Sequence, residues 1–161
     1  VSAGVWNGQG RLTLYDKRSK LATRKREEQY KLYTYEGEFK NGKFHGKGKK
    51  VQIRDSDGGE GFHPGIGSWE YEGEWRNDDM SGQGKLTYTR SGSVYQGSFK
   101  SGKPHGQGTF KGGDGQYKEG TWSHGQFREG KIKMRWEDGR VYEGGMVDAE
   151  MEGHGTMEWP N

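Results

Sequence analysis

Apolar and polar positions alternate along most of this chain, in short runs broken by turn residues. Across residues 70–76, Tyr71, Gly73 and Trp75 fall on one face of an extended segment, and Glu70, Glu72, Glu74 and Arg76 fall on the other. That is the period-two signature of a strand with one buried face. Asn77-Asp78-Asp79 follows as a turn, and Asn41-Gly42 takes the same place one copy earlier. Such residues supply the left-handed conformations that tight hairpins need. The run after the turn has its own alternation, with Gly82, Gly84, Leu86 and Tyr88 on one face and Ser81, Gln83, Lys85 and Thr87 on the other. The same rule gives Gly8/Gly10/Leu12/Leu14, Gly106/Gly108/Phe110 and Gly153/Gly155/Met157/Trp159. Gly130/Ile132/Met134/Trp136 joins them if its turn is one residue shorter. Each unit therefore predicts a β-hairpin with one apolar face.

The hairpins repeat. The phrase Tyr-x-Gly-x-aromatic reads Tyr35-Glu36-Gly37-Glu38-Phe39, then Tyr71-Glu72-Gly73-Glu74-Trp75, then Tyr95-Gln96-Gly97-Ser98-Phe99. Looser copies are Gly120-Thr121-Trp122 and Tyr142-Glu143-Gly144-Gly145-Met146. A period of about 23 or 24 residues marks a repeat architecture. The expected fold is all-β, an elongated single-layer solenoid of stacked antiparallel hairpins. Its divisions are a partial repeat at 1–15, a basic insertion at 16–34, a repeat at 35–54, an insertion at 55–68, and repeats at 71–94, 95–116, 117–141 and 142–161, the last one cut short. Beginning in mid-repeat and without an initiator Met, the chain reads as a fragment of a longer array.

Composition sharpens this picture. Only 27% of residues are hydrophobic, which alone would suggest disorder, but 13% are aromatic and the 31 glycines are spaced rather than clustered. A Gly between two aromatics leaves a gap on the inner face over which a neighbouring ring can lie. Each buried ring removes roughly 150–250 Å² from water, worth at most about 4–6 kcal/mol. An isolated hairpin is marginal in water, whereas stacked copies bury a continuous core. Cys is absent, which excludes disulfides and thiolate metal sites. No apolar run approaches the ~20 residues of a membrane-spanning helix, and the net charge of +3 is too small by itself to demand nucleic acid or a membrane.

The residues Tyr35/Gly37/Phe39/Gly42 with His45-Gly46-Lys47-Gly48, Tyr71/Gly73/Trp75 with Gly82/Gly84, and Tyr95/Gly97/Phe99/Gly102 with His105-Gly106-Gln107-Gly108 resemble the MORN repeat (membrane occupation and recognition nexus). The likeness extends over nearly the whole chain. Copies five and six depart from it: Tyr117 is one residue early, Arg128-Glu129 replaces His-Gly, Met146 stands for an aromatic, Ala149 for a turn Gly and Glu152 for the His. The resemblance implies a binding scaffold without catalysis or cofactor, in a cytoplasmic cytoskeletal, ciliary or membrane-associated setting. The partner it implies is a helix or peptide, with a second copy of the chain joining through the C-terminal repeats. By the same resemblance, Tyr35, Phe39, Tyr71, Trp75, Tyr95, Phe99, Trp122 and Tyr142 would form core and groove floor, with Glu36, Glu38, Glu72 and Glu74 on the rim beside Gln96 and Glu143. A Glu-rich rim favours a basic amphipathic partner. Two alternatives stand beside this reading, an anionic-phospholipid recognition module and the targeting arm of a larger enzyme such as a lipid kinase or lysine methyltransferase.

Candidate chemistry adds little that is catalytic. His45 and His105 occupy equivalent turns far apart in sequence, so they do not form a metal cluster; the expectation is no metal site. Asp55-Ser56-Asp57-Gly58 lacks the glycine and glutamate that a calcium loop needs at its sixth and twelfth places, where Glu60 and Ile66 stand. Gly112-Gly113-Asp114-Gly115 precedes a strand, not a helix, and no Gly-Lys-Ser/Thr follows. The pairs Glu36/Glu38 and Glu72/Glu74 read as a solubilising stripe rather than a catalytic dyad. The sharpest charge feature is the insertion carrying Lys17, Arg18, Lys20, Arg24, Lys25 and Arg26. It offers a contact for an acidic tail or a phosphoinositide headgroup, or else is a solvated loop. Nucleic acid is set aside because no aromatic interleaving or known binding module accompanies it.

Overall fold

A computed structural model of the chain describes residues 5–15, 31–53 and 68–160. Residues 16–30 of the basic insertion, which carry Lys17 to Arg26, and all but the last residue of the 55–68 insertion, lie outside them. The described residues form one 11-stranded antiparallel sheet in which spatial order follows chain order. The strands are β1 Gly8–Tyr15, β2 Lys31–Lys40, β3 Lys43–Gln52, β4 Trp69–Arg76, β5 Asp79–Tyr88, β6 Val94–Lys100, β7 Lys103–Lys111, β8 Tyr117–Ser123, β9 Gln126–Arg135, β10 Val141–Val147 and β11 Glu150–Glu158. The expected all-β array of stacked hairpins is the fold observed. Each hairpin packs chiefly on the hairpins beside it, so stability is close to a nearest-neighbour sum over copies, as in other repeat arrays.

Five hairpin tips share one geometry. Asn41-Gly42, Asn77-Asp78, Ser101-Gly102, His124-Gly125 and Asp148-Ala149 all have positive φ at both residues. That is the two-residue primed turn whose twist matches the strands. The tips are also tied in series. The backbone N–H of Asp78 donates to the Phe44 carbonyl at 3.1 Å, that of Gly102 to Met80 at 3.0 Å and that of Gly125 to Pro104 at 2.9 Å. Asp78 doubles the tie, its Oδ1 accepting from the Phe44 N–H at 2.8 Å.

Just inside each tip the second strand carries a bulge. Gly37 faces Gly48 but Glu38 faces His45, which leaves Gly46 and Lys47 as extra residues. Gly82 and Gln83 are extra in the same way between β4 and β5. The two glycines of each pair therefore do different jobs. Gly46 and Gly82 adopt φ of +56° and +54°, a bulge conformation costly for other residues. Gly48 and Gly84 lie under a tyrosine ring, where a Cβ would collide with the Tyr35 and Tyr71 side chains. In the β8–β9 hairpin the turn keeps its two residues; the shortening falls in the bulge, where Arg128 alone is extra.

The core lies on one face. Tyr35, Phe39, Phe44, Tyr71, Trp75, Met80, Leu86, Tyr88, Tyr95, Phe99 and Trp122 form one buried cluster. Ile132, within the irregular fifth copy, and Tyr142, in the copy after it, are buried outside it.

Candidate functional site

The four tyrosines that keep their place in the repeat do the same thing. The hydroxyls of Tyr35, Tyr71, Tyr95 and Tyr142 donate to the carbonyls three residues on, those of Glu38, Glu74, Ser98 and Gly145, at 2.9, 2.9, 3.1 and 2.9 Å. Each of the first three rings then meets two edges. Tyr71 sits 5.0 Å from Trp75 in its own copy and 5.0 Å from Phe99 in the next, both T-shaped. Tyr35 repeats the arrangement with Phe39 and Trp75, and Tyr95 with Phe99 and Trp122. The indole N–H groups of Trp75 and Trp122 donate to the carbonyls of Gly48 and Gly108 at 2.9 and 3.1 Å. Burial raises the Tyr35 and Tyr95 phenols to about 12 and lifts those of Tyr71 and Tyr88 as well.

The eight expected ring positions are thus all buried, and they are the core. The expected groove with these rings as floor and glutamates as rim is corrected by the pleat: alternate residues point to opposite sides, so rings and acids belong to different faces. Glu36, Glu72 and Glu74 line a trough of about 760 Å³ on the polar face, with Gln9, Lys47, Lys49 and Gln83 around them and Gly37, Gly48 and Gly73 beneath. A second trough of about 740 Å³ continues it past Lys85, Gln96, Gln107 and Glu119 and shares Gln83 with the first.

The rim is not acidic. Cross-strand partners run Arg11, Glu36, Lys49, Glu72 and Lys85 from β1 to β5, one residue per strand with alternating sign. Arg11 reaches Glu36 at 3.9 Å, and Lys49 reaches Glu70 at 2.8 Å, a hydrogen bond that raises the lysine pKa. The expectation of a basic partner drawn by a Glu-rich stripe loses its basis, because each glutamate of the row sits between cations. Glu38 and Glu74 also have local work. Their Oε1 atoms accept from the bulge N–H groups of Lys47 and Gln83, both at 2.9 Å.

Lys47, Lys49 and Lys85 line the troughs too, and the expected rim did not include them. Their signal is the polar alternation of β3 and β5, the strands directly beside those that carry the glutamates of the expected rim. Phe44, Met80, Pro104 and Phe127 were overlooked as core. Each stands two places after a hairpin tip, where Phe44 stacks on Tyr35 at 3.8 Å and 9°. Lys50 occupies the core-facing place that Leu86 fills two strands on, each lying between two repeat tyrosines. Its ammonium lies 4.3 Å from the Tyr33 ring and 5.5 Å from Trp69, and burial lowers its pKa.

His105 and His124 rings meet edge to face at 5.2 Å, and the Nδ1 of His45 is buried with no hydrogen-bond partner. Among the described residues no group of three or more His, Cys, Asp or Glu could hold a metal ion.

The family model described as the MORN repeat matches residues 35–51, 71–93, 95–117 and 142–161. Its intervals start on, or enclose, the four ring-over-glycine tyrosines and omit the fifth copy, where the tyrosine is displaced. MORN repeats are known for binding proteins and membranes.

Proposed function

The chain belongs to the MORN repeat family, and from that premise we propose that it is a non-enzymatic scaffold that lays a helical segment of a partner protein along the polar-face trough. The observation that carries this reading is the charge row Arg11–Glu36–Lys49–Glu72–Lys85 across five consecutive strands. Strands are spaced about 4.7–4.9 Å apart, and a helix advances about 5.4 Å per turn. A helix crossing the strands presents roughly one side chain per strand, so alternating charges one turn apart match the row. Glu36, Lys49, Glu72 and Lys85 are exposed and free to trade partners.

The test is affinity capture with a triple variant, Lys49→Glu, Glu72→Lys and Lys85→Glu, beside the parent chain. These exposed changes should leave the thermal melt within a few degrees and abolish capture of the partner. Undiminished capture by a folded variant would sink the trough reading. Sedimentation with anionic liposomes at two salt concentrations is the contrary arm; salt-sensitive lipid binding by both chains would favour a membrane ligand instead.

A further inference from the structure

On the opposite, aromatic face, a hollow of about 300 Å³ opens beside the fourth hairpin tip, walled by Tyr88, Tyr95, Phe110 and Trp122. The repeat register explains why it is there. The place two residues after the tip is filled by Phe44 in β3, Met80 in β5 and Phe127 in β9. In β7 it is Pro104, fully buried but too short to cover its tyrosine as Phe44 covers Tyr35. A second irregularity borders the same hollow. Lys118 stands where the other copies place the tyrosine of the phrase, because Tyr117 is turned to the polar face and its hydroxyl donates to Glu119 at 2.6 Å. Lys118 makes no ion pair with the described residues, and it is the one charged group among the nine residues lining the hollow. Ser91 and Ser93 close the far side with hydroxyls bonded to each other at 2.9 Å.

We propose that this hollow is a docking pocket for an aromatic side chain of a partner protein whose neighbouring residues are acidic. The walls match the apolar anchor that dominates small interfaces. The unpaired ammonium of Lys118 at the edge selects a carboxylate beside the anchor and disfavours a cation. The volume suits one side chain and sits at the lower bound of pockets that enclose free ligands. The pocket is on the face opposite the trough, so either surface can fail without the other.

The experiment is an NMR titration of the whole chain, following the Trp122 indole N–H, with three short synthetic peptides and with phenylacetate. The sequence acetyl-Glu-Phe-Glu-amide should shift the signal, whereas the Glu-Ala-Glu and Lys-Phe-Lys analogues should bind at least about threefold more weakly. Pro104→Phe puts a ring where Phe44 and Phe127 already carry one; it should fold and lose the response. Lys118→Glu tests the pocket independently of that variant, because it should reverse the preference toward the Lys-Phe-Lys peptide. Equal binding of all three peptides, no response to any of them, or a charge preference unmoved by Lys118→Glu overturns the proposal. Tighter binding of phenylacetate than of the Phe-containing peptide also overturns it, by identifying a small-molecule site.

Discussion

The hydroxyl of Tyr71 donates to the backbone carbonyl of Glu74 at 2.9 Å, three residues ahead on the same strand. It also reaches the Ser81 carbonyl across the hairpin at 3.2 Å. The phenol therefore pins the bulge while its ring fills the gap above Gly73 and Gly84. Two substitutions separate these roles. Tyr71→Phe keeps the ring and leaves two carbonyls without their donor, and should cost about 1–2 kcal/mol. Tyr71→Ala empties the middle of the ladder and should cost about 3–5 kcal/mol. Urea unfolding of both variants checks the ordering, and equal losses would mean that the ring contributes nothing beyond its hydroxyl.

Gly84→Ala should be among the most damaging single-methyl additions in the chain. A Cβ there meets the Tyr71 ring and hydroxyl, which cannot retreat without losing the Glu74 bond. Overpacking of this kind costs about 1–3 kcal/mol. Gly153→Ala is the comparison, because its φ is +70° but no atom lies within 4 Å of the added carbon. Thermal melts should show the larger drop at Gly84.

Glu74 is a bulge clamp as well as a trough residue. Glu74→Ala removes the acceptor for the Gln83 N–H and should destabilise by about 1 kcal/mol, while Glu74→Gln, which retains a side-chain oxygen, should cost less. Hydrogen exchange at the Gln83 amide reports the loss directly. Unchanged protection in the alanine variant would leave the clamp without support.

Lys50→Leu should raise stability by about 1 kcal/mol. The change gives β3 the side chain that β5 carries at Leu86 and removes an ammonium that burial disfavours, at the loss of its contacts with the Tyr33 and Trp69 rings. A lower denaturation midpoint in the leucine variant would show that those ring contacts outweigh desolvation.

The fold should weaken in strong alkali. The phenols of Tyr35 and Tyr95 are raised from 10.0 to about 12 by burial, so between those values the unfolded chain has lost protons that the folded chain retains. Their contribution is complete below about pH 10 and is lost as pH rises through about 12. Tyr71 and Tyr88 shift in the same direction and extend the loss upward. The part of the tyrosinate absorbance that belongs to the buried phenols should appear together with unfolding, not before it. Full ionisation of a chain that keeps its circular dichroism would contradict this.

The hairpins, the ring positions and the glycine pairs were legible because they follow from period-two alternation and turn chemistry, which are local. The placement of Tyr71 and Trp75 opposite Glu72 and Glu74 needed nothing beyond the pleat. The floor-and-rim groove failed for the same reason: residues adjacent in sequence were assigned to one surface that the pleat divides. The bulge was not legible, since Gly46 and Gly48 look alike until the register shows one left-handed and the other under a ring. Nor was the shortened β8–β9 unit, where loss of a residue from turn or bulge leaves the same spacing.

The sequence by itself determined the repeating unit, because every hairpin carries its own turn, its own alternation and its own glycines. Only the tertiary structure decided what each surface offers. Charge sign along the trough depends on which strand lies beside which, and the hollow at Pro104 depends on what four different strands bring to one point. Those are contacts between residues distant in the chain, set by packing and register rather than by local preference.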